Sequence, residues 1–178
     1  MLRPVDERPR RRGVRTNQPV RRIAEEVNVE FDSVDSVLDF AIKNEQAASD
    51  FYTDLASKME KPQMKKIFEG FAAEELGHKA KLESVKGKKK GALSKTKVLD
   101  LKIGDYLVEQ TPSPNMDYQS ALILAMKQEK AAFRLYTDLA ASTDDKKVRD
   151  LFLGLAQEEA KHKLRFEVEY DEDFLRDN

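Results

Sequence analysis

The chain has 178 residues, of which 37% are charged and 40% hydrophobic, with a formal net charge of −1. That length gives one domain with a sizeable core, and the even charge balance excludes a protein that grips nucleic acid over its whole surface. There is no run of 18 apolar residues and no cysteine, which excludes a membrane-spanning helix, disulfides, thiol catalysis, zinc–thiolate sites and cysteine-ligated iron–sulfur centres.

Residues 1–30 form a basic arm, with arginines from Arg3 to Arg22 and prolines at 4, 9 and 19. It reads as a disordered tail in preference to a contact for nucleic acid or a partner protein. No apolar segment follows the arginines, so no export signal is expected and the expected location is cytoplasmic. Residues 31–178 read as one bundle domain.

Helical periodicity starts at Val34. Val34, Leu38, Ala41, Glu45, Ala48, Tyr52, Leu55 and Met59 alternate by four and three, which is one buried stripe of a bundle helix with Ser33 as its N-cap. Pro62 suits the first turn of a second helix, whose stripe is Met64, Phe68, Phe71, Glu75, His78, Leu82 and Val85. A connector over about 87–116 follows, beginning in a lysine- and glycine-rich stretch and ending near Pro112 and Pro114.

Adding 84 to each number recovers both stripes without insertion. The third helix carries Tyr118, Leu122, Ala125, Glu129, Ala132, Tyr136 and Leu139, with Asp117 in the place of Ser33. The fourth carries Val148, Phe152, Leu155, Glu159, His162 and Phe166, and the pentapeptide YTDLA recurs unchanged at 52–56 and 136–140. This is an internal duplication of an antiparallel helix hairpin. Two hairpins joined by one long crossover predict an all-α, ferritin-like four-helix bundle; an open helical array is the alternative.

The chemistry sits on the stripes. Both histidines of the chain follow a glutamate by three residues, Glu75–His78 and Glu159–His162, so each pair shares one helix face about 4.5 Å apart along the axis. Glu45 and Glu129 interrupt the apolar stripes of the other two helices. Four uncompensated carboxylates inside a bundle would repel one another, and no lysine or arginine lies on these stripes to pair them. Two divalent cations would bring the sum to zero. Oxygen-rich ligation with one imidazole per metal suits iron or manganese. Tyr52 and Tyr136 lie two turns beyond Glu45 and Glu129, and each is placed to hydrogen-bond a ligand carboxylate on a neighbouring helix or to find some other core partner.

The segments AIKNE and EELGH, repeated as AMKQE and EEAKH, together with DYLV in the crossover, resemble the rubrerythrin branch of the ferritin-like superfamily over about 33–175. The resemblance implies two iron ions per chain. Glu45 and Glu129 would be terminal ligands, Glu75 and Glu159 would bridge, and His78 and His162 would each complete one metal. Helices 1 and 3 also carry apolar residues off the metal stripe, Phe40, Phe51, Phe133 and Leu135, which if exposed would form the contact face of a homodimer, an assembly the resemblance implies as well. The chain departs from full rubrerythrins in two ways, and from bacterioferritin in another. It lacks the cysteines of a rubredoxin centre, so an external electron donor is expected. Ala132 and its duplicate Ala48 stand where the family's extra glutamate would fall on the third helix and its repeat. Leu76 stands where bacterioferritin has a haem-ligating methionine, so no haem is expected, and the tail beyond about 168 is short for a fifth helix.

The expected function is therefore a di-iron oxidoreductase that reduces O₂ or H₂O₂, with the missing glutamate favouring O₂ or ferroxidase chemistry over an efficient peroxidase. The six ligands Glu45, Glu75, His78, Glu129, Glu159 and His162 would carry both metal binding and catalysis. An iron-storage protein and a metal-stabilised interaction module are the alternatives.

Overall fold

The computed structural model describes residues 28–29, 33–88, 101–102, 106, 108 and 112–175. Apart from Asn28 and Val29, the arginine-rich arm lies outside the described residues. Four long helices dominate: α1 (Val34–Lys58), α2 (Pro62–Lys88), α3 (Tyr118–Ser142) and α4 (Lys146–Phe174). Two short strands, β1 (Asn28–Val29) and β2 (Leu101–Lys102), pair antiparallel, joining the inner end of the arm to the crossover.

Local signals set the helix starts. The Ser33 hydroxyl accepts from the Ser36 amide at 3.1 Å, and the Ser36 hydroxyl accepts from the Ser33 amide at 3.2 Å, closing a capping box. Asp117 accepts from the Ser120 amide at 2.7 Å, and Asp145 from the amides of Lys147 and Val148 at 2.9 and 3.1 Å. Each cap is worth about 1 kcal/mol. Three-residue turns at 59–61 and 143–145 close the two hairpins.

Two apolar cores occupy the two ends of the bundle. One gathers Val34, Val37 and Leu38 from the start of α1, Leu82 from the end of α2, Leu139 from the end of α3, and Val148 and Phe152 from the start of α4. The other gathers Tyr52 and Leu55, Phe68 and Phe71, Leu122 and Phe166 from the opposite ends of the same helices. Hence α1 runs antiparallel to both α2 and α3. The end of α2 and the start of α3 lie at opposite ends of the bundle. The crossover must therefore traverse its length, about 37 Å for a 25-residue helix. The ferritin-like arrangement expected from the duplication is the one observed.

The contact face expected from the sequence needs correction. Leu135 is buried in the first core, and Phe40 and Phe51 are half-buried against the first and second cores; of the four, Phe133 is exposed. A bundle helix buries a strip at least 100° wide, broader than the single stripe of every third or fourth residue, and Val37 and Leu124 are buried beside it in the same way.

Candidate metal centre

Between the two apolar cores lies a polar band. It contains Glu45 from α1, Glu75 and His78 from α2, Glu129 from α3, and Glu159 and His162 from α4. All six are between 1% and 3% exposed, so water cannot solvate their charge. The helical i, i+3 spacing puts each Glu–His pair on one inward face. The duplication then brings the two faces together, with the imidazoles stacked at 5.3 Å and only 12° from parallel.

The oxygens divide between the histidines in a definite way. Nδ1 of His78 lies 3.0 Å from Glu75 Oε2, 3.1 Å from Glu159 Oε1 and 3.7 Å from Glu45 Oε2. Nδ1 of His162 lies 3.2 Å from Glu75 Oε1, 3.6 Å from Glu159 Oε2 and 3.5 Å from Glu129 Oε2. Glu75 and Glu159 thus offer one oxygen to each imidazole, whereas Glu45 faces His78 and Glu129 faces His162. Two overlapping sets result, Glu45–Glu75–His78–Glu159 and Glu75–Glu129–Glu159–His162. Within each set the donor atoms lie within 4.8 Å of one another.

Tyrosine hydroxyls fix the outer carboxylates. Tyr52 on α1 donates to Glu129 Oε1 on α3, and Tyr136 on α3 donates to Glu45 Oε1 on α1. Each tyrosine therefore reaches the glutamate of the neighbouring repeat, the first of the two roles expected for it. One oxygen of each outer carboxylate is occupied, and the other is left facing the centre.

The charges of the band offset one another in part. Burial pushes the carboxyls of Glu45 and Glu129 well above the ordinary 4.5. Burial pushes Glu75 and Glu159 the same way, but His162 and His78 outweigh it, leaving Glu75 below 4.5 and Glu159 at about 2. Burial alone would lower both histidines; the surrounding carboxylates reverse this and raise His78 to about 11 and His162 to about 12. Two imidazoliums then lie among four carboxyl groups, two held low and two pushed up.

A divalent cation pair fits these residues on a further ground. Among the described residues, the buried side-chain nitrogen and oxygen atoms without a hydrogen-bond partner are Glu75 Oε1, Glu129 Oε2, Glu159 Oε1 and His162 Nδ1. All four belong to this cluster and converge on it. An unpaired buried polar atom costs about 1–3 kcal/mol, and a cation among these donors would satisfy them together. The donor set, two carboxylate-rich spheres with one imidazole each, suits iron or manganese.

The stripes of the sequence did not pick out what stands behind His162. Nε2 of His162 is 3.0 Å from Glu74 Oε2, and Arg165 Nη1 holds the two oxygens of Glu74 at 2.7 and 2.9 Å. Glu74 and Arg165 are each about half exposed, so their pattern in sequence is that of an ordinary solvated face.

The fold and this cluster define a ferritin-like bundle with a buried carboxylate–histidine cluster able to hold metal. The Rubrerythrin family model matches residues 36–170. The chain belongs to the Rubrerythrin family. Among solved structures, a hypothetical protein from Pyrococcus furiosus is similar at 26% identity with a TM-score of 0.58, covering 78% of this chain and 89% of that one. No curated protein matches the chain. Among the described residues no helix is long and apolar enough to cross a membrane.

Proposed function

We propose that this chain is a di-iron carboxylate oxidoreductase that reduces O₂ or H₂O₂, with Glu45, Glu75, His78, Glu129, Glu159 and His162 as its ligands. One observation carries the reading: two buried four-residue donor sets that share Glu75 and Glu159. Two iron ions bound there would supply the electrons and the Lewis acidity for reducing the oxidant.

The chain's own residues do the rest. Glu75 and Glu159, each offering an oxygen to both halves, would hold metal in both. Tyr136 and Tyr52 hold Glu45 and Glu129 in one orientation, so that one oxygen of each remains directed inward. The apolar cores on both sides keep bulk water from the band. The 178 residues contain no cysteine, so the electrons that restore the centre come from a donor outside them. Ala48 and Ala132 leave the centre with six ligands and no added carboxylate, which favours O₂ or ferroxidase chemistry. A second copy of the chain is the partner we assign to the exposed apolar side chains Phe133, Leu153, Leu164 and Val168; sedimentation showing only monomer at micromolar concentration overturns that assignment.

The test is metal content followed by stoichiometry. Anaerobic loading with Fe²⁺ should give two metals per chain, and addition of O₂ or H₂O₂ with a reductant should give turnover without net consumption of iron. Loading of many irons per chain would mark storage instead, and fewer than one metal per chain would overturn the reading.

A further inference from the structure

The two halves of the centre use equivalent ligands but are held differently. Behind His162, Nε2–H donates to Glu74, and Glu74 is gripped by Arg165. The Arg165 guanidinium lies 4.3 Å over the Phe71 ring, and that ring meets His162 edge-on at 5.1 Å. The imidazole is thereby fixed both in tilt and in the direction of its outer N–H, with Nδ1 aimed into the cluster.

The repeat does not reproduce this arrangement. The residues 84 positions away from Glu74, Arg165 and Phe71 are Glu158, Lys81 and Leu155. Glu158 accepts a hydrogen bond from Lys161 on its own helix at 2.9 Å, and Lys81 and His78 act on its carboxylate only through their charge. Among the described residues no hydrogen bond reaches Nε2 of His78, whose ring bonds through Nδ1 to Glu75. Leucine offers no aromatic face to a cation, and lysine lacks the planar donor group that lets arginine lie on such a face while holding a carboxylate.

We propose that Glu74, oriented by Arg165, is a positioning residue that makes the half of the centre built on His162 and Glu129 take a divalent cation before the half built on His78 and Glu45. The inference rests on the metal-binding reading above. A histidine whose outer N–H is anchored on a carboxylate presents its other nitrogen already aimed and more basic, and loss of such an anchor costs about 10–100-fold in metal affinity. Among the described residues His78 has no such hydrogen-bonded anchor behind its outer nitrogen, which weakens its half relative to the other.

Co²⁺ is a suitable probe, because its visible absorption reports coordination without turnover. The full-length metal-free chain would be titrated anaerobically and followed by absorption and calorimetry. The wild type should bind two ions in separate steps at least about tenfold apart. E74Q should weaken the tighter step by about 10–100-fold, so that the two steps merge. R165M should shift the same step in the same direction, and E158Q should move neither. E129A should abolish the tighter step, and E45A the weaker one.

Glu74 and Arg165 are half exposed, so either substitution leaves the cores intact, and the second variant covers a folding failure of the first. Two wild-type steps of equal affinity overturn the proposal. So do equal effects of E74Q and E158Q, or loss of the tighter step in E45A. Binding of fewer than one Co²⁺ per chain overturns the metal-centre reading and this proposal with it, whereas two ions bound with equal affinity overturn the proposal alone.

Discussion

Loading the centre with cations should expel protons, and the number follows from the charge balance of the band. Without metal, His78 and His162 are imidazoliums, raised against burial to about 11 and about 12 by the carboxylates around them. Burial pushes the Glu45 and Glu129 carboxyls well above 4.5. With two divalent cations in place, all four carboxylates ionise and both imidazoles become neutral ligands. The two imidazolium protons leave, and any proton that burial holds on Glu45 or Glu129 leaves with them. Each proton released adds one power of ten per pH unit to the overall binding constant, so the two imidazolium protons alone should tighten two-ion loading about 100-fold between pH 6 and pH 7, or about 2.7 kcal/mol at 1.36 kcal/mol per proton. The assay is calorimetric titration with Mn²⁺ in non-chelating buffers of different ionisation enthalpy, where the slope of observed heat against buffer enthalpy counts protons. A slope near zero would refute the argument, since it would mean that the metal-free band is already deprotonated. A slope near two would confine the release to the histidines and show that Glu45 and Glu129 are ionised before metal arrives.

Metal should also raise thermal stability. A ligand at 100 times its Kd adds about 2.7 kcal/mol, or about 5–10 °C for a domain of this size, and equal melting temperatures with and without saturating metal would contradict this. In acid the metal-free fold should lose the contribution of Glu159, which is complete above the ordinary 4.5 and disappears as pH falls through about 2; an acid titration followed by circular dichroism checks the direction. Tyr52→Phe and Tyr136→Phe keep the packing but strip a donor from Glu129 and Glu45, so each should cost about 1–3 kcal/mol in denaturant unfolding, and a neutral result would show that another donor replaces the hydroxyl. Ala132→Glu should keep two metals and react faster with H₂O₂ relative to O₂. Overpacking there costs about 1–3 kcal/mol, so metal content and melting come first, and an unchanged rate ratio in a folded, loaded variant removes the missing carboxylate as the ground for the proposed O₂ preference.

Much of the centre was legible in the sequence because a bundle leaves few explanations for a charged residue on an apolar stripe. Glu45, Glu75, His78 and their partners 84 residues on stood out against Leu, Phe and Ala, and the duplication supplied the second half of the site. The division of oxygens between the two histidines was not legible, since it depends on how the hairpins rotate against each other. The Glu74–Arg165 grip was hidden because half-exposed charges on α2 and α4 look like any solvated face. It could have been found by asking where the repeats differ around their shared ligands, at Phe71 against Leu155 and Arg165 against Lys81. Leu135 was misplaced for a simpler reason: a single line of residues underestimates the width of a buried helix face.

The end-to-end crossover separates two hairpins whose internal contacts are local, so each can form before it meets the other. Neither hairpin alone contains a complete donor set: Glu45, Glu75 and His78 still need Glu159, and Glu129, Glu159 and His162 still need Glu75. The centre therefore comes into being at docking, as the chain closes on itself. Bound cations would hold back the parting of the hairpins and so slow unfolding, while leaving the speed at which each hairpin forms untouched.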